Sequence, residues 1–84
     1  MRVSDEAVHE LLAHSLAAWG AAGVVGRDGG AFVVDAGLHA IRVERAPPDL
    51  PLRWTVTVDG RRRGAVSLVA VLRQVRSALE PGYA

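Results

Sequence analysis

Between residues 24 and 58, apolar side chains return at every second position, and short turn signals interrupt them. A strand sends successive side chains to opposite faces, so this period calls for a sheet buried on one face. Residues 24–27, 31–35, 38–45 and 52–58 read as strands. The breaks fall at Asp28-Gly29-Gly30, at Ala36-Gly37 and over residues 46–51. Two of these connections test one another. If Ala36-Gly37 closes a two-residue turn, Phe32 lies opposite Ile41 and Val34 opposite His39. If the loop at 46–51 is symmetric, Val43 meets Trp54, Ile41 meets Val56, and Glu44 meets Arg53. Both then place Val25, Phe32, Val34, Ile41, Val43, Trp54, Val56 and Val58 on one face. Arg42, Glu44, Arg53, Thr55 and Thr57 take the other. A slip of one residue destroys that agreement. Asp59-Gly60 is a strong hairpin signal and adds a short optional fifth strand over residues 61–66.

Helical periodicity brackets this region. Ser4 reads as an N-cap, and Asp5 and Glu6 suit the positive end of a helix. Val3 and Val8 hold the positions of a hydrophobic staple. Val8, Leu11, Leu12, Leu16 and Trp19 then recur at helical spacing, which predicts a helix over 5–21 ending near Gly20 or Gly23. Ser67 caps a second helix with Leu68, Val71, Leu72, Val75 and Leu79 as its apolar stripe. Arg73 and Arg76 favour its C-terminal end, and Pro81-Gly82 stops it. The expected fold is α+β and two-layered. A four- to five-stranded antiparallel meander carries the N-terminal and C-terminal helices on one face, in the order α-β-β-β-β-α with the fifth strand optional. The other sheet face stays open.

Composition bounds the function. The 84 residues suit a single domain, 1–84. With no cysteine, neither disulfides nor a cysteine-bound zinc holds the fold. Ten basic residues face nine acidic ones, which argues against a DNA mimic and against a strongly basic nucleic-acid coat. All the basic residues are arginine, and the chain has no lysine or asparagine, a bias in keeping with GC-rich coding. The apolar stretch 11–25 follows an acidic leader and is broken by His14, Ser15 and glycines. It reads as neither a signal peptide nor a membrane span, so the expected location is cytoplasmic, without a membrane partner.

No motif carries catalytic chemistry. His9 and His14 resemble a zinc-protease pair with one residue too many, which turns the imidazoles about 140° apart on a helix. They read as two solvated helix histidines, with His39 at a strand end. Gly20, Gly23, Gly26 and Gly29 fit a helix end and a hairpin better than a phosphate loop, which would want a lysine. The serines read as caps or helix-surface residues, and Asp28 and Asp59 as turn residues. No metal, cofactor or catalytic residue is expected. Trp19, Phe32 and Trp54 fall on the inner faces; Tyr83 is the remaining aromatic.

Arg61, Arg62 and Arg63 form the one local charge cluster. They read either as a solvated turn that discourages edge-to-edge association or as part of a basic surface with Arg27, Arg42 and Arg53. The order of a helix, three strands and a helix resembles the double-stranded-RNA-binding domain. The likeness lies in the stretch 54–58, Asp59-Gly60 and the arginines before the helix at 67–79. That resemblance implies a nucleic-acid contact through arginines. Ser67-Leu68-Val69-Ala70 stands where the family carries its lysine-rich motif.

The reading favoured by the sequence is a small non-enzymatic module that binds another protein. Accessory and inhibitor proteins of phages and mobile elements, the anti-CRISPR proteins among them, are of this size. The expected partner-binding residues are Arg42, Arg53, Thr55, Thr57, Arg61, Arg62 and Arg63. The alternative is a nucleic-acid-binding domain using the arginine surface, and the third reading is a small enzyme with a spatially assembled site. Protein is preferred because the net charge is only +1, the open face lacks stacking aromatics and Glu44 sits among its arginines. A homodimer is a further expectation, since Val24, Val33 and Ala40 share the parity of the open face.

Overall fold

The computed structural model describes residues 3–37 and 39–80. Leu38, the Pro81-Gly82 stop and Tyr83 lie outside them. Helix α1 (Asp5–Ala18) is followed by β1 (Val24–Asp28), β2 (Ala31–Asp35), β3 (Ala40–Arg45), β4 (Trp54–Val58) and β5 (Arg61–Ala65), and α2 (Leu68–Leu79) closes the order. All five strands pair antiparallel with their sequence neighbours, β1 to β5 in order. The α+β meander is as expected and the fifth strand is present. With five strands between the helices, the order differs from the helix, three strands and helix on which the likeness to the double-stranded-RNA-binding domain rests.

The helix ends follow the local chemistry. The Ser4 hydroxyl accepts the Ala7 N–H at 3.2 Å, and the Ser67 hydroxyl accepts the Ala70 N–H at 3.2 Å. Helix α1 stops three residues before the expected end. Gly20 takes φ +70°, and the Ala21 N–H reaches back to the Leu16 carbonyl at 2.9 Å, closing a Schellman motif. Val8 is buried but Val3 is exposed, so the expected staple does not bury its first residue.

One face of the sheet forms the core. Phe32, Val43 and Val56 form one cross-strand row, and Val25, Val34, Ile41 and Val58 form the next. Val8, Leu12 and Leu16 of α1 and Val71, Val75 and Ala78 of α2 cover these rows. Trp54 is buried beside Ala65, while Trp19 is half-buried at the margin.

The register departs from the expected one by two residues at both connections. Val34 lies opposite Ile41 and Phe32 opposite Val43; Ile41 meets Val58 and Val43 meets Val56. Glu44 therefore faces Thr55 instead of Arg53, and Trp54 faces Arg45. A shift of two preserves parity, so the expected core survives. The physical reasons lie in the connections. Asp35 pairs with Ala40, so His39 is left outside β3 instead of facing Val34. In the later loop, the Leu50 N–H closes a turn on the Pro47 carbonyl at 3.2 Å. Pro51 has no N–H to give, and pairing resumes only where Ala46 N–H meets the Arg53 carbonyl at 2.9 Å.

Trp54→Ala should lower stability by about 3–5 kcal/mol in urea unfolding, the usual cost of truncating a buried large aromatic. A second test concerns Gly23. A Cβ there would stand 2.4 Å from the Ala36 Cβ and 2.8 Å from the Asp35 carbonyl oxygen. Gly23→Ala should cost about 1–3 kcal/mol by overpacking. Gly26→Ala, whose Cβ meets nothing nearer than 4.0 Å, should change the unfolding midpoint little.

Candidate partner-binding surfaces

Parity decides where each arginine goes. Arg27 and Arg45 share the buried face with their partners Phe32 and Trp54, so each guanidinium lies over a ring, at 4.6 and 4.8 Å from its centre. Both reach Asp5 at the start of α1, each at 3.0 Å, and Arg45 also donates to the Val3 carbonyl. The hydrogen bond from Arg45, with the charge of Arg27 alongside, holds the Asp5 carboxyl below the usual aspartate range. This trio ties the helix layer to two strands of the sheet. Arg27 thus leaves the basic surface proposed for it on sequence.

On the open face, Arg42 donates to Asp28 at 2.7 Å and to Glu44 at 3.2 Å. Asp28 and then Glu44 push its pKa up from the ordinary arginine value. The row Gly26, Val33, Arg42, Thr57 and Arg62 crosses the five strands. Thr55 stands between Glu44 and Gly64 in the neighbouring strands. Carboxylates thus accompany the cations of this face and neutralise Arg42.

The remaining expected residues separate. Arg61 and Arg63 pair with Val58 and Val56 and so point to the helix side, while Arg62 pairs with Thr57 and points to the open side. Arg61 and Arg63 line a cleft of about 140 Å³ together with Arg73, Gln74 and Ser77 of α2. Among the described residues, no carboxylate lines this cleft. Arg53 lines a larger, open groove of about 800 Å³, walled by Pro47, Leu50, Pro51, Leu52, Val66 and Leu68. Leu50 and Val66 are exposed there. Of the seven expected residues, Arg42, Thr55, Thr57 and Arg62 share the open face, Arg61 and Arg63 share the cleft, and Arg53 stands in the groove.

Among the described residues, Arg53, Arg61, Arg62, Arg63, Arg73 and Arg76 make no ion pair and all are exposed, and Arg76 stands apart over the Trp19 ring, 5.9 Å from its centre. The other five lie on β5, just before β4 beside the end of β5, or on the helix next to it. The Arg53 N–H bonds the Ala65 carbonyl of β5 at 3.1 Å. Free positive charge is therefore gathered along one edge of the molecule. The sequence assigns Arg73 only to the helix C-terminal end and Ser77 to a cap or helix surface, and it says nothing of Gln74, although their spacing places the three together on one flank of the α2 apolar stripe.

Of the two helix histidines expected in solvent, His9 is tied down instead, and His39 lies at a strand end as expected. His9 donates its Nε2–H to the Val25 carbonyl at 2.8 Å, and His39 donates Nδ1–H to Asp59. His14 is exposed. Asp59 and Gly60 take φ of +50° and +84°, the signature of a type I′ turn. The Asp59 carboxylate also accepts the Ala40 N–H at 2.9 Å. The His39 bond, then the Ala40 bond, lower its pKa. Among the described residues, no group of three His, Asp or Glu side chains is placed to hold a metal ion, and no helix is long and apolar enough to cross a membrane.

No protein-family model matches the sequence, and no curated protein or solved structure shows significant similarity to it.

Two lowered carboxyl pKa values set a sign for acid stability. A carboxyl with a folded pKa below its unfolded one stabilises the fold above the unfolded value, about 3.9, and loses that contribution as pH falls through the folded value. Urea unfolding should therefore be flat near neutrality as far as Asp5 and Asp59 are concerned, and weaken below about pH 4. The double variant Asp5→Asn, Asp59→Asn should be less stable at neutral pH and show a shallower acid decline. An unchanged decline would show that other groups drive it.

Proposed function

We propose that the protein is a non-enzymatic binding module that captures an acidic surface of another protein along its β5–α2 edge, acting in the cytoplasm. The gathering of the unpaired arginines at that edge carries this reading. Arginine forks suit bidentate, short-range contact with carboxylates. The adjoining groove, with Arg53 in its wall and Leu50 and Val66 exposed, offers such a partner an apolar anchor beside the charge. The mode of action is occupancy of a partner's surface, as in small accessory or inhibitor proteins of phages and mobile elements, including the anti-CRISPR type.

Nucleic acid is the weaker reading. The net charge of +1 supplies little long-range attraction. Phe32 and Trp54 are buried, and Trp19 is half-buried with Arg76 5.9 Å from its ring, so none of them offers a free stacking platform. Self-association across the open face is a secondary part of the proposal. Asp35 pairs with both Val24 and Ala40, so a dimer there would have to accommodate its carboxylate. Light scattering at high micromolar concentration supports that part with a dimer and removes it with a monomer.

The main test is affinity capture from nuclease-treated lysate, with the unaltered chain beside the variant Arg61→Ala, Arg62→Ala, Arg63→Ala. These residues lie on an exposed edge, so the variant should keep its far-UV circular dichroism and unfolding midpoint. The captured protein should be lost from the variant and should carry an acidic contact surface. Equal capture by both chains counts against the proposal. Titration with duplex RNA, duplex DNA and single strands at near-physiological salt provides the second arm. Submicromolar binding that falls steeply with salt would overturn the protein-partner reading in favour of nucleic acid.

A further inference from the structure

Among the described residues, the outer edge of β5 has no strand beside it, because β5 ends the sheet. Its backbone orientation follows from two hydrogen bonds. The Ala65 carbonyl turns inward and accepts the Arg53 N–H at 3.1 Å. The Gly64 carbonyl turns outward and accepts the Gln74 side-chain N–H at 3.1 Å. Strand alternation then turns the N–H and carbonyl of Arg62 outward, as well as the N–H of Gly64. Residues 61–64 are all exposed.

The side chains along this edge are positively charged on both sides. Arg62 projects on the open face, and Arg61 and Arg63 project on the helix face beside Arg73. A second copy of β5 laid against this edge would bring arginines against arginines, which disfavours self-pairing. A strand bearing carboxylates would meet cations on both of its faces. The opposite edge of the sheet is different. There α1 covers β1, with His9 on the Val25 carbonyl and Asp5 on Arg27.

We propose that β5 receives an extended acidic segment of a partner protein as a sixth strand. This rests on the acidic-partner reading above and specifies how the partner is held. Main-chain hydrogen bonds to Arg62 and Gly64 would give the pairing. Arg62 on one face and Arg61, Arg63 and Arg73 on the other would select carboxylates at successive positions. Gln74 already occupies the outward carbonyl of Gly64, whose second lone pair stays available to the added strand.

The test uses the full chain, labelled for amide NMR, and a blocked octapeptide built from Glu and Val. A counterpart peptide has alternate backbone amides methylated, which keeps its charge and removes its donors. The Glu–Val peptide should protect the Arg62 and Gly64 amides from exchange. The methylated peptide should bind about tenfold more weakly or worse, as expected for the loss of a pair of net hydrogen bonds. Equal binding of the two peptides, or binding without protection at Arg62 and Gly64, overturns strand addition and leaves the acidic-surface reading standing. Failure of both peptides to bind also overturns strand addition, while loss of arginine dependence in lysate capture is what removes the broader reading. A control peptide with Lys in place of Glu should bind the unaltered chain no better than buffer and should bind the variant Arg61→Glu, Arg62→Glu, Arg63→Glu. Tight binding of the Lys peptide to the unaltered chain would show that charge does not select the strand.

Discussion

A sheet buried on one face only is the constraint on which the rest of this protein depends. It forces every strand to alternate, and it makes the cross-strand row the unit of the core. The row Phe32, Val43 and Val56 shows this. All three side chains are fully enclosed, and the row ends in Arg27 on β1 and Arg63 on β5. The two ends meet different fates. Arg27 finds Asp5 at the start of α1 and lies over Phe32. Arg63 finds, among the described residues, only Arg61, Arg73 and neutral groups in the cleft beside α2. The same apolar row thus creates one satisfied edge and one charged, unsatisfied edge.

Charge placement follows from the helix positions. Helix α1 carries its acidic first turn to the β1 side, where it pairs with Arg27 and Arg45. Helix α2 has no acidic residue in its first turn and brings Arg73 towards β5. A net charge near zero therefore coexists with a cluster of arginines that make no ion pair along the β5 edge. Short-range recognition responds to this local field more than to the total.

The Asp59-Gly60 turn joins local and tertiary demands. Its positive φ angles match the twist of a hairpin, and the same Asp59 carboxylate takes hydrogen bonds from Ala40 and His39 at the entrance to β3. One side chain thereby helps set where β3 begins relative to β4. That contact joins residues far apart in the chain, and nothing in the local sequence around His39 announces it.

Element order, the apolar face and both helix caps were legible from sequence alone. Period-two and period-3.6 patterns report local geometry, and Ser4 and Ser67 cap helices through bonds to residues three positions on. The exact register was not legible. Parity tolerates a shift of two, and only the turn at Pro47 to Leu50 and the Asp59 contacts select one alignment. Nor could the sequence separate Arg27, Arg42 and Arg45, whose charges meet carboxylates of the same chain, from Arg53, Arg61, Arg62, Arg63, Arg73 and Arg76, whose charges do not. All are the same residue type in similar local contexts. What distinguishes them is which carboxylate the tertiary structure brings within reach, and ion pairs such as Asp5 with Arg45 form across long stretches of chain whose spacing only the packed helices and sheet decide.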